Sequence, residues 1–410
     1  WNVSGAWNVH EENFFNSISK AVSHLSLKAS YSLTADRPSV TNALAVIQSY
    51  SPWRPSAGVT ESGLTIKDLE NSDLTYEKKH ELNIGADLGF LDNRINLTVD
   101  WYKRDNFDLI GRVMTQGIGG QIQKYGNVAT MKSRGIEFSL STKNIKTKDF
   151  SWTTDFIYSH MKNEVTKFNT STRAFNLVSG IGFSREGYPV NSLFSYDFRG
   201  LNEDGVPTFI NEAGVLTSTD INFQETERFD NLVYSGPSEP TDVGSFGNIF
   251  QYKGLRLNVF ITYSFGNVVR LDPVFSSIYN DLDAMPREFR NRWMTPGDER
   301  YTDVPAIVSS RQVRNDSKLS YAYNAYNYST ARIAKGDFIR MKEISLTYDF
   351  PKRWIKKLRM SNLALKIQAT NLFLIYADKK LNGQDPEFFN SGGVATPVPK
   401  QFTLMLKIGL

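Results

Sequence analysis

Leu255-Arg256-Leu257-Asn258-Val259-Phe260-Ile261-Thr262-Tyr263-Ser264-Phe265 is the stretch whose reading decides the fold. Leu255, Leu257, Val259, Ile261, Tyr263 and Phe265 share one phase, and Arg256, Asn258, Phe260, Thr262 and Ser264 share the other. A period of two is the mark of a strand with two unlike faces. Ten residue steps span roughly 33 Å of strand. Tilted by about 40°, they cover roughly 25 Å, the height of the apolar band of a membrane barrel. No Lys or Arg falls on the apolar phase, where one would cost roughly 2–4 kcal/mol at the bilayer midplane. Arg256 lies on the other phase, which a watery lumen would hydrate.

The same alternation recurs along the whole chain. Trp1, Val3, Trp7 and Val9 are in phase, as are Leu25, Leu27, Ala29, Tyr31 and Leu33. Leu82 to Phe90 and Ile95 to Trp101 flank a tight Leu-Asp-Asn-Arg turn. Further series run through Ile136–Leu140, Phe150–Tyr158, Ile344–Tyr348, Leu363–Ala369 and Phe402–Leu410. Long connections, at about 34–77, 107–128, 163–242, 267–336 and 377–399, alternate with short ones. Membrane barrels have long external loops and short periplasmic turns, so the long ones are expected outside. The expected fold is all-β: a transmembrane antiparallel barrel with eleven strands in this chain, half of the twenty-two found in plugged transporters. The 163–242 stretch has room for a further hairpin around Phe194–Phe198 and Thr208–Ile210.

Composition agrees and narrows the function. The chain has 410 residues, with Tyr 19, Phe 27 and Trp 7, the residues from which barrels build their interfacial girdles. No run of 18 uncharged apolar residues occurs, so no membrane-spanning helix is expected, and a chain without one can cross only as a closed barrel. The net charge of +4 is spread along the chain and forms no nucleic-acid stripe. With no Cys, a disulfide scaffold, a thiolate metal site and a cysteine nucleophile are excluded. Trp1 starts inside a strand with no leader pattern before it, which leads us to expect a segment of a longer, cleaved or split polypeptide.

No catalytic constellation emerges. His10, His24, His80 and His160 lack metal-binding spacing, and His160 is expected at the interface or in the lumen. Gly182-Phe183-Ser184-Arg185-Glu186-Gly187 has the wrong spacing for a nucleophile elbow. No enzyme activity, metal or cofactor is expected. Lys352, Arg353, Lys356, Lys357 and Arg359 surround Trp354 and Ile355 in a short turn; this reads as a docking surface or, more plainly, as a solvated turn with an amphipathic anchor. Tyr321, Tyr323, Tyr326 and Tyr328, in the loop before residue 336, are the candidate ligand-contacting residues, since tyrosine faces stack on sugars and peptides. The plainer reading is loop packing or contact with a protein lid.

Gly336-Asp337-Phe338-Ile339-Arg340-Met341-Lys342-Glu343-Ile344-Ser345-Leu346-Thr347-Tyr348 resembles the late-barrel signature of SusC/RagA-type TonB-dependent outer-membrane transporters. Asn371-Leu372-Phe373, Asp385-Pro386-Glu387 and Pro397 to Phe402 follow in that family's order. Ala6-Trp7-Asn8, Leu25 to Tyr31, Glu81 to Tyr102, Gly135-Ile136-Glu137, Glu186 to Val190 and Arg292-Trp293 add to the likeness. The departures are a missing plug and TonB box, a final Leu410 in place of an aromatic residue, and Asn202-Glu203-Asp204-Gly205 where an acidic calcium-like loop is common. The resemblance implies the carboxy-terminal part of a 22-stranded barrel in the bacterial outer membrane that imports an oligosaccharide or oligopeptide. The implied partners are a SusD-like surface lipoprotein, TonB acting through the missing amino-terminal part, the remainder of the barrel, the lipid bilayer and a second transporter–lipoprotein pair, with no nucleic acid. A passive porin and a structural or adhesive barrel are the alternatives.

Overall fold

The computed structural model describes residues 1–37, 43–51, 62–117, 121–170, 172–179, 182–273, 287–357, 360–388 and 399–409. Strands β1 (Asn2–Asn8) and β2 (Val22–Asp36) are followed by a small hairpin, β3 (Val46–Tyr50) and β4 (Gly63–Asp68). Four long strands come next: β5 (Glu77–Phe90), β6 (Ile95–Met114), β7 (Gln123–Lys146) and β8 (Phe150–Phe168). A folded excursion carries helix α1 (Ala174–Val178), β9 (Ser192–Tyr196), β10 (Phe198–Leu201), β11 (Pro207–Ile210), β12 (Leu216–Thr217) and β13 (Leu232–Pro237). Strands β14 (Asp242–Tyr252) and β15 (Leu255–Phe265) lead into a second excursion with β16 (Val268–Arg270), α2 (Ser310–Asn315), α3 (Leu319–Asn327) and β17 (Ile333–Lys335). The chain closes with β18 (Phe338–Asp349), α4 (Lys352–Lys357), β19 (Asn362–Ala377) and β20 (Gln401–Gly409).

Eleven of these strands form one sheet in the order β1-β2-β5-β6-β7-β8-β14-β15-β18-β19-β20. Every neighbouring pair is antiparallel. The register aligns the apolar phases across the sheet. Leu25, Leu88, Leu97, Leu140, Phe156, Phe246, Ile261, Met341 and Phe373 are paired in one row over nine strands. On the opposite face, Ser26, Asp87, Thr98, Ser139, Ile157, Ser245, Thr262 and Arg340 form another row. A one-residue slip would exchange the two faces, so each strand's apolar pattern pins its register.

Burial in this sheet is inverted relative to a water-soluble protein. Ser26, Ser133, Ser245 and Ser345 are buried, whereas Ile84, Ile367, Phe402 and Leu404 are exposed, Phe402 at 77%. In water such an apolar surface would cost about 25 cal/mol per Å²; against hydrocarbon it costs nothing. Aromatic rings gather at both ends of the band. Tyr31 stacks on His80 and His80 on Phe107 at the end carrying the long connections. Trp152 stacks on Phe250, and Phe350 bridges Tyr348 and Trp354, at the other end. These are the two interfacial girdles of a membrane barrel.

Short links of 91–94, 147–149 and 253–254 alternate with the long excursions. One expected loop is mostly strand: in the 107–128 region β6 continues to Met114 and β7 begins at Gln123. The register shifts around Asp108 (φ 57°) and again between Leu109 and Ile110, so the apolar phase is interrupted and the alternation is lost to a sequence reading. The hairpin expected around Phe194–Phe198 and Thr208–Ile210 is re-paired. β10 pairs β11, with Phe198 opposite Phe209, while β9 pairs β13, and neither joins the large sheet.

The core of the molecule lies in the excursions, which pack together as a cap. Leu177, Phe194, Tyr196, Phe209 and Tyr326 are buried in one cluster. Tyr196 N–H donates to Tyr328 O at 3.0 Å, stitching the first excursion to the second. Two similar turns build the first: Asn202 Oδ1 accepts from the Asp204 and Val206 amides, and Asn211 Oδ1 from those of Ala213 and Val215. Gly205 and Gly214 each supply the positive φ (71° and 76°) that such a turn requires. Asn202 to Gly205 is thus the turn between β10 and β11.

Candidate functional site

The polar face of the sheet is a wall of paired charges. Lys28 pairs with Asp87, which also accepts from Thr98 Oγ1 at 3.0 Å. Glu81 bridges Lys79 at 2.6 Å and Arg104 at 3.2 Å. Ser141 donates to Asp155 at 2.7 Å, and Glu343 accepts from Asn258 at 3.3 Å with Lys366 3.9 Å away. Mixed signs on alternate strands give a hydrated surface suited to passing polar solutes.

The four candidate tyrosines separate by helix geometry. Tyr323 and Tyr326, three residues apart on α3, point into the cap and are 1% and 2% exposed. Tyr323 Oη donates to Ala306 O at 2.9 Å. Burial pushes the Tyr326 phenol up to about 12, against the guanidinium of Arg332 6.0 Å from its ring. Tyr321, 48% exposed, lies on the other side of the helix, and half-buried Tyr328 caps its carboxy-terminal end. Tyr328 packs edge-on against Phe175, with Arg270 5.6 Å above its ring. Two of the four rings are therefore core, and Tyr321 is the most exposed of the four.

Three arginines, of which only Arg340 falls in a sequence motif, tie the cap together and to the sheet. Arg270 is buried; its Nη2 donates to Phe194 O at 2.7 Å, and burial pulls its guanidinium down to about 10. Arg332 pairs with Glu288 at 2.5 Å and donates to Asp272 O. Arg340, on β18, grips Asp385 at 2.5 Å and Glu387 at 2.8 Å. The late-barrel segment and the Asp385-Pro386-Glu387 segment, 45 residues apart, are thus one structural unit.

A cavity of about 730 Å³ lies between the ends of β6–β8 and the cap. Phe168, Phe175 and Phe183 give it an aromatic lining, and Arg112 and Arg173 bring two cations. Among the described residues, no carboxylate lines it. Arg112 donates to Gln123 Oε1 at 3.4 Å and Arg173 to Gln224 Oε1 at 2.9 Å, both neutral partners. Phe168 pairs with Ala129, two residues from Met131 on β7, so it belongs to the polar face of the sheet. Arg112 and Arg173 are 61 residues apart in sequence, and the folded excursion alone brings them together.

His160 sits on the apolar face, bonded through Nδ1 to Asp242 at 2.8 Å, at the level of the aromatic girdle. The rings of His10 and His24 lie 4.1 Å apart, tilted by 50°, while His80 lies between Tyr31 and Phe107. Of the basic turn, α4 carries Lys352 and Arg353 with Trp354 exposed and Ile355 buried. Arg359 and residues 389–398 of the last long connection lie outside the described residues.

The family described as TonB dependent receptor-like, beta-barrel, matches residues 1–372. TonB-dependent receptor P3 of Formosa agariphila is 26% identical over 400 residues, covering 93% of this chain and 37% of the relative. TonB-dependent receptor SusC of Bacteroides thetaiotaomicron is 26% identical over 425 residues, covering 98% of this chain and 39% of the relative. The solved structure of the RagAB peptide transporter superposes with a TM-score of 0.79 at 25% identity, covering 100% of this chain and 43% of that one. The chain thus spans about two fifths of the length of the relatives it matches. It belongs to the TonB-dependent receptor-like β-barrel family of the bacterial outer membrane.

Proposed function

We propose that this chain is the carboxy-terminal lumen wall and external cap of an energy-coupled importer of oligopeptides or oligosaccharides, working with a SusD-like surface lipoprotein. The observation that carries the reading is the joining of a lipid-facing eleven-stranded sheet to a packed cap over its long-connection end. A simple pore needs no such cap. The long excursions are placed outside the cell, and the short turns in the periplasm. Plug and TonB coupling are assigned to the rest of the full-length protein, a reading supported by the likeness to SusC and the other TonB-dependent receptors.

Cargo would meet the polar wall and the cavity holding Arg112 and Arg173. Two cations without carboxylate partners among the described residues, beside aromatic rings, suit a solute that combines an anionic group with flat or apolar surface. Likeness to the RagAB peptide transporter favours peptide over sugar. The test is uptake of fluorophore-tagged oligopeptide and oligosaccharide pools by cells with and without the gene, before and after the proton gradient is dissipated. Gene-dependent uptake that stops when the gradient collapses is expected. Uptake that continues without the gradient would make the molecule a passive pore, and no gene-dependent uptake would leave a structural barrel.

A further inference from the structure

The outward face of the sheet carries a charge pattern that neither import nor barrel closure uses. Lys103, Arg134 and Lys162 are directly paired across β6, β7 and β8. All three are exposed. Like charges set directly opposite one another on adjacent strands destabilise a sheet. The next row toward the long connections, Asp105, Lys132 and Glu164, alternates in sign. Asp105 lies 3.6 Å from Lys103. The patch thus sets four cations against two carboxylates. Arg134 and Lys162 have no carboxylate within ion-pair distance among the described residues.

Depth identifies the counter-charge. One row toward the centre of the band are Trp101, Ile136 and His160, on the same face and in the same strands. The cations therefore stand one strand repeat, roughly 7 Å along the strand, beyond the apolar boundary. At that level a bilayer presents its headgroups, and its anionic lipids attract Lys and Arg. A lumen solute cannot reach the patch, because it lies on the face opposite Glu137 and Ser139. A protein partner would have to displace lipid to do so.

We propose that Lys103, Arg134 and Lys162 form a binding site for the phosphate of a net-anionic lipid headgroup, fixing the depth of the barrel in its membrane. The row of like charges is then completed by the lipid phosphate, and Trp101 packs beside the first acyl carbons. This site is independent of the import reading, since a passive barrel would need the same anchor.

The experiment uses the full-length protein, purified in detergent and delipidated. Dioleoylphosphatidylglycerol and dioleoylphosphatidylcholine are added in equal amounts, and retained lipid is counted by native mass spectrometry. Each cation at an anionic surface contributes roughly fivefold in binding. The wild-type protein should retain the phosphatidylglycerol at least about tenfold better, and the preference should fade as salt rises. The K103Q/R134Q/K162Q variant should bring the two lipids close to parity. The wild-type comparison stands even if the variant folds poorly. Equal retention of both lipids by wild type, or a preference surviving in the folded variant, would overturn the proposal. Displacement of the lipid by millimolar inorganic phosphate would also overturn it, by making this a free-phosphate site.

Discussion

Replacing Phe138 by lysine tests the assignment of faces most directly. Phe138 lies on the outward face of β7, paired with Val99 and Tyr158 and edge-on to Phe156 at 6.0 Å. Arg134 and Thr142, four residues to either side, mark the ends of the apolar run on that face. Each is roughly 13 Å away along the strand, or about 10 Å in depth once the tilt is included. A lysine side chain is too short to bring its ammonium fully to water from there, so Phe138→Lys should cost roughly 2–4 kcal/mol. Ser139→Lys is the matched control. Ser139 is the next residue, between Thr98 and Ile157 on the polar face, with Glu137 two residues away on that same face. A lysine there meets water and a carboxylate, and the expected change is under about 0.5 kcal/mol. The assay is a guanidinium titration of the full-length protein in phosphatidylcholine vesicles, followed by tryptophan fluorescence. Equal losses in the two variants, or a harmless Phe138→Lys, would refute the assignment of apolar face to lipid and polar face to lumen.

Arg340→Gln should free residues 378–388, because it removes the ion pairs with Asp385 and Glu387; a local loss of about 3 kcal/mol would appear as faster proteolysis of that segment with the sheet intact. Tyr323→Phe should cost about 1 kcal/mol through the lost bond to Ala306 O and raise hydrogen exchange in α3, whereas Tyr321→Phe should change neither. Tyr326, with its phenol raised to about 12, holds its proton more tightly folded than unfolded. Its contribution to cap stability is therefore complete below about pH 10 and is lost as pH rises toward about 12. In an ultraviolet tyrosinate titration it should ionise after the exposed tyrosines, and simultaneous ionisation would refute its burial. Arg112→Gln with Arg173→Gln should weaken uptake of an anionic cargo about tenfold without shifting the melting temperature, since both side chains are exposed and hold neutral partners.

The barrel is legible in the sequence and the cap is not, for a physical reason. A strand between lipid and water must alternate over its whole length, so each of the eleven strands carries its own signal. That signal fails where a bulge inserts a residue, as near Asp108, and there strand reads as loop. The cap obeys no such boundary. Its strands are two to six residues long and pair with partners chosen by packing: β9 skips three strands to reach β13. The α3 sequence, with Tyr321 and Tyr323 alternating with alanine and asparagine, has the look of a strand. It forms a helix because the cap buries Ala322, Tyr323, Ala325 and Tyr326, a helical spacing.

The candidate site inherits the same asymmetry. Tyrosines can be singled out as residues suited to stacking, but whether a ring faces cargo or core depends on the packing of the second excursion against the first. Helix geometry divides them, burying Tyr323 and Tyr326 and leaving Tyr321 outside. The arginines are invisible for the opposite reason. Arg112 closes a strand whose phase a bulge has shifted, and Arg173 lies in an irregular link before a helix of five residues. Neither position has a local pattern that marks it. What singles them out is the absence of carboxylates, among the described residues, from the cavity they share, a property of the folded chain alone. In this barrel the wall is encoded strand by strand, whereas the features that would select a cargo arise where two long excursions meet.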